Sequence, residues 1–353
     1  MLVAAYRFVL CVKKFPFASS STPRVRLVTR SRLKEQSLRV PTMGLPSVST
    51  PPVSFRVDRI GGHATEIVDL RADKPAFHVF FVPGNPGVVA YYKDFLEALF
   101  DHLAGQASVT AISHIAHVSK DWELGRLFTL QDQIKHKVEF VRDIILLESP
   151  EVPIFLVGHS IGAYIALEIL KEFPSQVHHV IGLYPFLTLN KHSKFQSILG
   201  QVAATPALCT TISTFAGLVG RLPKGLGRIL VKVLLGRVWD PLAVDVTCQY
   251  MLQKNVVHNF LYMGRTEFAS LSQEPDLAYL KENQNKTSFL FGIDDHWGPL
   301  TLLDEISENI PELYLSVERE GHLHAFCCSK AGSNWVARFA ADTILSKKPS
   351  ARL

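Results

Sequence analysis

No Cys-x-x-Cys pair and no dense cysteine framework occur in this chain. Its five cysteines, Cys11, Cys209, Cys248, Cys327 and Cys328, are scattered. That argues against structural zinc and a disulfide scaffold, and favours reduced thiols in a cytosol-facing protein. No run of 18 consecutive apolar residues is present, so no segment reads as a spanning helix. Acids are scarce in one long stretch and missing from another. Residues 1–42 hold nine Lys/Arg and a single acid, Glu35, and residues 173–239 hold no Asp or Glu. The formal net charge of +5 therefore comes from the N-terminal end; the remainder holds 28 basic and 31 acidic residues. Nucleic-acid binding by the body is not implied.

Against these absences stands a chain of 353 residues, 47% hydrophobic and 20% charged. It is long enough for one α/β domain with insertions or for two smaller domains. Residues 1–52 are rich in Arg and Ser and end in a Ser/Pro stretch. They read as a disordered basic extension. Their composition resembles an organellar transit peptide; a plain extension, with a sensible start also at Met43, is the alternative. Leu2–Val12 is short and interrupted by Arg7, which does not suit a signal peptide or anchor.

The central stretch is Pro153 to Leu167. Ile154–Gly158 reads as a short buried strand, and Gly158-His159-Ser160-Ile161-Gly162 follows. Ile161, Tyr164, Ile165, Leu167, Ile169 and Leu170 then lie along a helix that stops at Pro174. Strand, G-x-S-x-G, helix is the pattern of a nucleophile elbow. A serine on such a turn has a strained backbone. The residues two before and two after it must be small, because strand and helix pass closely there. The turn lifts the hydroxyl clear of the sheet and aims the Ile161 N–H at the same point.

Upstream, Thr65–Leu70 suggests an early antiparallel strand and Ala76–Val82 a buried one. The latter runs into the loop Pro83-Gly-Asn-Pro-Gly87, and a helix follows over Tyr91–Leu103. A loop in this position supplies the second oxyanion donor of a serine hydrolase. The Asn85 N–H is the candidate, since Pro86 cannot donate. Ala107–Ser113 is a further strand. His114 and His117 sit at i, i+3, but no further ligand follows at metal-site spacing, so a loop or pocket wall is the reading and no metal is expected. Ile134, Val138, Val141 and Ile145 give Leu130–Leu147 a helical period. Val180–Tyr184 is the strand after the elbow helix.

The acid-free stretch carries Lys191, Lys194, Arg221, Lys224, Arg228, Lys232 and Arg237 among many apolar residues. It is too long for a simple loop and reads as a helical cap inserted between core strands. Basic and apolar residues without acids suit an interfacial helix on a phospholipid surface. A cap that turns its apolar face inward over a site is the other reading.

Two late strands bring the partners a serine needs. Thr287–Gly292 ends in Ile293-Asp294-Asp295-His296-Trp297-Gly-Pro299. Leu313–Val317 precedes Gly321-His322-Leu-His324-Ala-Phe326. The chain order Ser, Asp, His matches an elbow-type triad. The spacing leaves Asp294 or Asp295, and His322 or His324, as acid and base. Gly332–Lys347 contains the closing helix.

These residues resemble the α/β-hydrolase superfamily, and within it the lipid droplet-associated hydrolase family. The resemblance rests on Phe81–Gly87 with Tyr91 or Tyr92, Ile112–His114 with His117, Gln133–Lys137, Val157–Gly162, Asp295–Pro299 and His324–Phe326. It implies that Asp295, in D-x-W-x-P, is the acid and His324, in H-A-F, the base to Ser160, with Ile161 and Asn85 as oxyanion donors. The expected fold is α/β, a mainly parallel sheet flanked by helices. Its core covers 53–185 and 273–348, with the cap at 186–272. The implied reaction is hydrolysis of a lipid ester, a sterol ester or acylglycerol, without metal or organic cofactor. The implied place is the lipid droplet or endoplasmic reticulum surface, and by its basic and apolar composition the cap is the part expected to meet it. Two alternatives stand beside it: a droplet-surface protein with weak or no hydrolysis, and a plastid or mitochondrial esterase addressed by residues 1–42.

Overall fold

The computed structural model describes residues 53–190, 192–235, 239–271 and 274–348. The expectations for residues 1–52, and Cys11, Lys191 and Arg237, lie outside them. Eight strands form one sheet in the order β1-β2-β4-β3-β5-β6-β7-β8. They are β1 Ser54–Ile60, β2 His63–Leu70, β3 Phe77–Val82, β4 Ala107–Ile112, β5 Ile154–His159, β6 Val177–Leu183, β7 Thr287–Gly292 and β8 Tyr314–Glu318. β1, β2 and β4 are antiparallel neighbours, and the pairings from β4 through β8 are all parallel.

Sequence periodicity explains why both faces of this sheet are covered. Along β3, Val79 and Phe81 join one apolar cluster while Phe80 and Val82 join the other, as the two-residue period of a strand requires. Helices α1 (Lys93–His102) and α11 (Lys330–Lys347) cover the first face. α2 (Leu130–Phe140), α3 (Ile161–Glu172) and α10 (Leu300–Asn309) cover the second. Parallel strands buried on both sides are near-continuous apolar runs, and β5 is one.

Four details depart from the sequence reading, one being that β6 begins at Val177, three residues before Val180. β1 was not anticipated; alternate residues of it are polar, and it is an exposed edge strand. The helix expected over Tyr91–Leu103 begins as a tighter turn at Val89–Tyr92 and becomes α-helical at Lys93. α2 starts on a capping box between Thr129 and Asp132 and passes into a wider π turn at Val141–Ile145.

Between β6 and β7 the chain forms α4 (Lys194–Ala204), α5 (Pro206–Val219), α6 (Lys224–Leu235), α7 (Pro241–Val246), α8 (Lys254–Ser270) and α9 (Leu277–Glu282). Cys209, Ala216, Val231, Val244 and Phe260 from these helices belong to the first apolar cluster. The insertion is thus packed onto the core by its inner face.

Candidate active site

Ser160 stands between β5 and α3 at φ 55°, ψ −124°. A non-glycine residue in that region stores roughly 1–3 kcal/mol and persists only where its surroundings hold it. Three hydrogen bonds do so. Ser160 N–H donates to Leu183 O at 3.0 Å, and Ser160 O accepts from Ala163 N–H at 3.0 Å and Phe186 N–H at 3.1 Å. The flanking glycines leave room for nothing larger. A methyl at Gly158 would meet the Gly162 carbonyl, and one at Gly162 would meet Val82 O. A methyl at Gly84 would lie 3.0 Å from Ser160 Cβ.

Asp295 follows β7 and His324 follows β8. His324 Nδ1 lies 2.9 Å from Asp295 Oδ2, and Asp295 Oδ1 accepts from Trp297 N–H at 2.9 Å. Both carboxylate oxygens are thereby occupied in a buried setting. A carboxylate only accepts, so Nδ1 is the donor of this pair, and in the neutral imidazole Nε2 is the nitrogen left to accept a proton. Asp294 is not the partner of His324. His322 lies instead against Trp335, with ring centroids 5.8 Å apart. Ser160 and His324 line one cavity, with no hydrogen bond between them among the described residues.

A chain of hydrogen bonds joins the two sides of this cavity. Gly84 N–H donates to Tyr92 Oη at 3.1 Å. Tyr92 Oη lies 2.7 Å from His159 Nδ1, and His159 Nε2 lies 3.0 Å from the His324 carbonyl. The directions follow from the last link. A carbonyl only accepts, so His159 donates from Nε2 and Nδ1 accepts from the tyrosine. Burial holds His159 neutral by pushing its pKa well below the usual range, with His324 acting in the same sense. Burial likewise pushes Tyr92 well above the usual phenol value. His159 is legible in the sequence only as the residue before Ser160; nothing local announces its reach to His324.

The loop Pro83–Gly87 is fastened on both sides. Gly87 N–H donates to His117 Nδ1 at 2.8 Å, and Gly87 O accepts from His114 N–H at 2.9 Å. A methyl at Gly87 would strike the His114 ring. So His114 and His117 form the loop's floor. On the other side, Asn85 Nδ2 donates to Phe260 O at 3.0 Å and Glu267 Oε1 at 2.9 Å, both on α8. The N–H groups of Asn85 and Ile161 have no acceptor among the described residues. For Ile161, the first residue of α3, this is the normal state of a helix N-terminus.

The cavity walls are apolar. Phe186, Leu199, Ile212, Phe260, Phe268 and Trp297 surround Ser160, and the space between, including its opening to solvent, is about 1150 Å³. Most of these side chains come from α4, α5 and α8. Among the described residues, no group of three His, Cys, Asp or Glu side chains is arranged to hold a metal ion.

A model of the lipid-droplet associated hydrolase family matches residues 75–327, which include all the residues of this site. The chain belongs to that family. Lipid droplet-associated hydrolase from Gallus gallus is 30% identical over 309 residues, spanning 79% of this chain and 92% of the relative. The protein of the same name from Rattus norvegicus is 27% identical over 306 residues, spanning 82% and 91%. Among solved structures, a monoglyceride lipase variant from Saccharomyces cerevisiae superposes with a TM-score of 0.57 at 16% identity, covering 86% of this chain and 98% of its own. A haloalkane dehalogenase from Bradyrhizobium elkani gives 0.61 at 14%, covering 84% and 98%. At such identities the likeness concerns the fold, which is the α/β-hydrolase fold. In this family member the expected chain order is kept, and the sheet brings the ends of β3, β5, β7 and β8 to one cavity.

Proposed function

We propose that the protein hydrolyses a lipid ester through Ser160. Ser160 Oγ attacks the ester carbonyl while His324 Nε2 takes its proton. Asp295 holds the Nδ1 proton and stabilises the imidazolium that forms. The N–H groups of Asn85 and Ile161 bind the oxyanion, each worth about 3 kcal/mol in the transition state. His324 then gives the proton to the leaving alkoxide, and water, deprotonated by His324, releases the acid from Ser160. The observation that carries this reading is the opening of Ser160 and an Asp295-oriented His324 onto one apolar cavity. Its apolar walls suit an acyl chain, and sterol esters or acylglycerols are the substrate class.

Fluorophosphonate labelling of the purified protein tests it. Wild type is expected to react, and Ser160→Ala and His324→Ala are expected not to. A folded wild type that stays unlabelled in the presence of phospholipid-coated droplets would overturn the reading.

The place of action in this reading is the phospholipid monolayer of a lipid droplet or the endoplasmic reticulum surface. On α6, Leu226, Ile229 and Val233 recur at helical spacing and point outward, at 45%, 60% and 65% exposure. Phe215 and Leu218 on α5 extend the same character, and Arg221, Lys224 and Lys232 are exposed among them. An outward apolar stripe flanked by cations, with Asp245 of α7 paired to Arg228 on α6, fits an anionic or zwitterionic interface. Among the described residues no single helix is long and apolar enough to cross a membrane. Ile229→Asp with Val233→Asp is expected to weaken flotation with artificial droplets; unchanged flotation would remove this face from the reading.

The same stripe also favours a second reading, a droplet-surface protein with weak or no hydrolysis. It predicts that Ser160→Ala leaves the droplet phenotype of cells unaltered, whereas the enzymatic reading predicts its loss.

A further inference from the structure

An acid lies in the same cavity as Ser160, and no step above uses it. Glu267 on α8 is 4% exposed. Its Oε1 accepts from Asn85 Nδ2, while Oε2 has no hydrogen-bond partner among the described residues. Glu267 lines the cavity, the apolar space that receives substrate in the ester-hydrolysis reading. Asn85 is the residue whose backbone N–H is the loop's oxyanion donor in the mechanism above. One side-chain amide therefore ties that donor to the insertion, through Phe260 O and Glu267 together.

A carboxyl in this position has two states of opposite consequence. As a neutral acid it accepts from Asn85 and adds no charge. As a carboxylate it still accepts, but it sets a full negative charge against the side chain of Asn85, the residue whose N–H would meet the developing oxyanion, in a medium that screens poorly. We propose that Glu267 is a positioning residue that must be neutral: it anchors Asn85 to α8, and its ionisation shuts down turnover. This rests on the ester-hydrolysis reading of Ser160.

The surroundings agree with a neutral acid. Burial raises the Glu267 pKa to about 8, opposed only by donation from Asn85. The titratable groups facing the cavity from other elements are Tyr91, Tyr92, His159, His324, Cys327 and Cys328. None of them, and no charged side chain on an element packed against α8, contributes to the shift. α4 and α5 present only apolar side chains to the cavity, Ile212 among them.

The test is the pH dependence of kcat and KM on a soluble short-chain aryl ester, for wild type and E267Q. Glutamine keeps the acceptor for Asn85 and cannot ionise. The ratio of E267Q to wild-type kcat is expected to rise about tenfold between about pH 7 and about pH 9, with the change in kcat and not KM. A flat ratio overturns the assignment. A second measurement needs no turnover. The infrared carbonyl stretch of a protonated carboxylic acid is expected in wild type at neutral pH and is expected to be missing from E267Q; its absence from wild type also overturns the assignment. A wild type that neither turns over ester nor reacts with fluorophosphonate overturns the Ser160 reading, and the role of Glu267 with it. A wild type that turns over with a flat ratio overturns Glu267 alone.

Discussion

Two buried polar clusters flank the loop Pro83–Gly87, and they are built alike but opened differently. One is Tyr92, His159, His324 and Asp295. The other is Ser113, His117, Gln133, His136 and Lys137. In the second, Lys137 Nζ donates to Ser113 O at 3.0 Å and to His136 Nδ1 at 3.1 Å. His136 Nε2 faces Thr65 Oγ1 at 2.8 Å. Thr65 already donates its hydroxyl to His63 O, so His136 donates from Nε2 and is neutral. Burial holds both His136 and Lys137 well below their usual pKa ranges. Lys137, His117 and Gln133 are fully buried, and none of this cluster lines the cavity. The first cluster ends instead at His324, on the cavity wall. Buried polar groups that meet only protein atoms fix backbone positions. The same residue types at a cavity wall are free to meet a reacting molecule.

The largest test of this contrast sets Ser160→Ala against Lys137→Ala. Ser160→Ala is expected to lower ester turnover by about 10⁴-fold or more while leaving the unfolding midpoint nearly unchanged. Lys137→Ala is expected to do the reverse. It leaves Ser113 O and His136 Nδ1 without their donor and opens a void, a loss of about 3 kcal/mol by denaturant unfolding. Fluorophosphonate reactivity per folded molecule is expected to survive. Ester turnover lost in Lys137→Ala at full folding would erase the distinction between the clusters.

A stability effect of similar size is expected at Glu267, with a definite sign. Its folded pKa is raised from 4.5 to about 8. The native state therefore holds a proton that the unfolded state releases, and stability falls as pH rises from 4.5 to about 8. At pH 7 the accumulated loss is about 3 kcal/mol. Unfolding of E267Q is expected to lack that slope, so its advantage over wild type grows between about pH 5 and about pH 7. Parallel pH profiles for the two would place the carboxylate in water rather than in the cavity.

A smaller effect sharpens the comparison inside the first cluster. Tyr92→Phe removes the link between Gly84 N–H and His159 Nδ1. A loss of about 1–2 kcal/mol in stability is expected, together with about tenfold lower kcat at unchanged KM. A change confined to KM would mean that the link shapes the pocket and not the geometry of Ser160 and His324.

Much of this architecture is legible along the chain. The strands of the parallel sheet are short apolar runs, and they lie within a residue or two of where pattern places them, except β6, which begins at Val177. Gly158 and Gly162 announce the close crossing of β5 and α3 by their spacing alone. β1 escaped because only Phe55 and Val57 carry its alternation, and on this exposed edge strand neither is buried. The pairs Asp294/Asp295 and His322/His324 are equivalent by spacing. The fold separates them, because the direction in which each loop leaves its strand decides which side chain meets the other. Glu267 gave no signal, since an acid on a half-apolar helix normally faces water.

The sequence by itself determined the element order, the elbow around Ser160 and the apolar character of the segment between β6 and β7. These are local properties: period, glycine spacing and composition act within a few residues. Tertiary structure alone decided that Asn85 meets Glu267 across 182 positions and that His159 reaches His324 across 165. It also turned one face of α6 to solvent while Leu199, Ile212 and Phe260 close over Ser160. Hydrogen bonds and burial between distant segments depend on where the folded sheet sets its strand ends, and no local pattern carries that information.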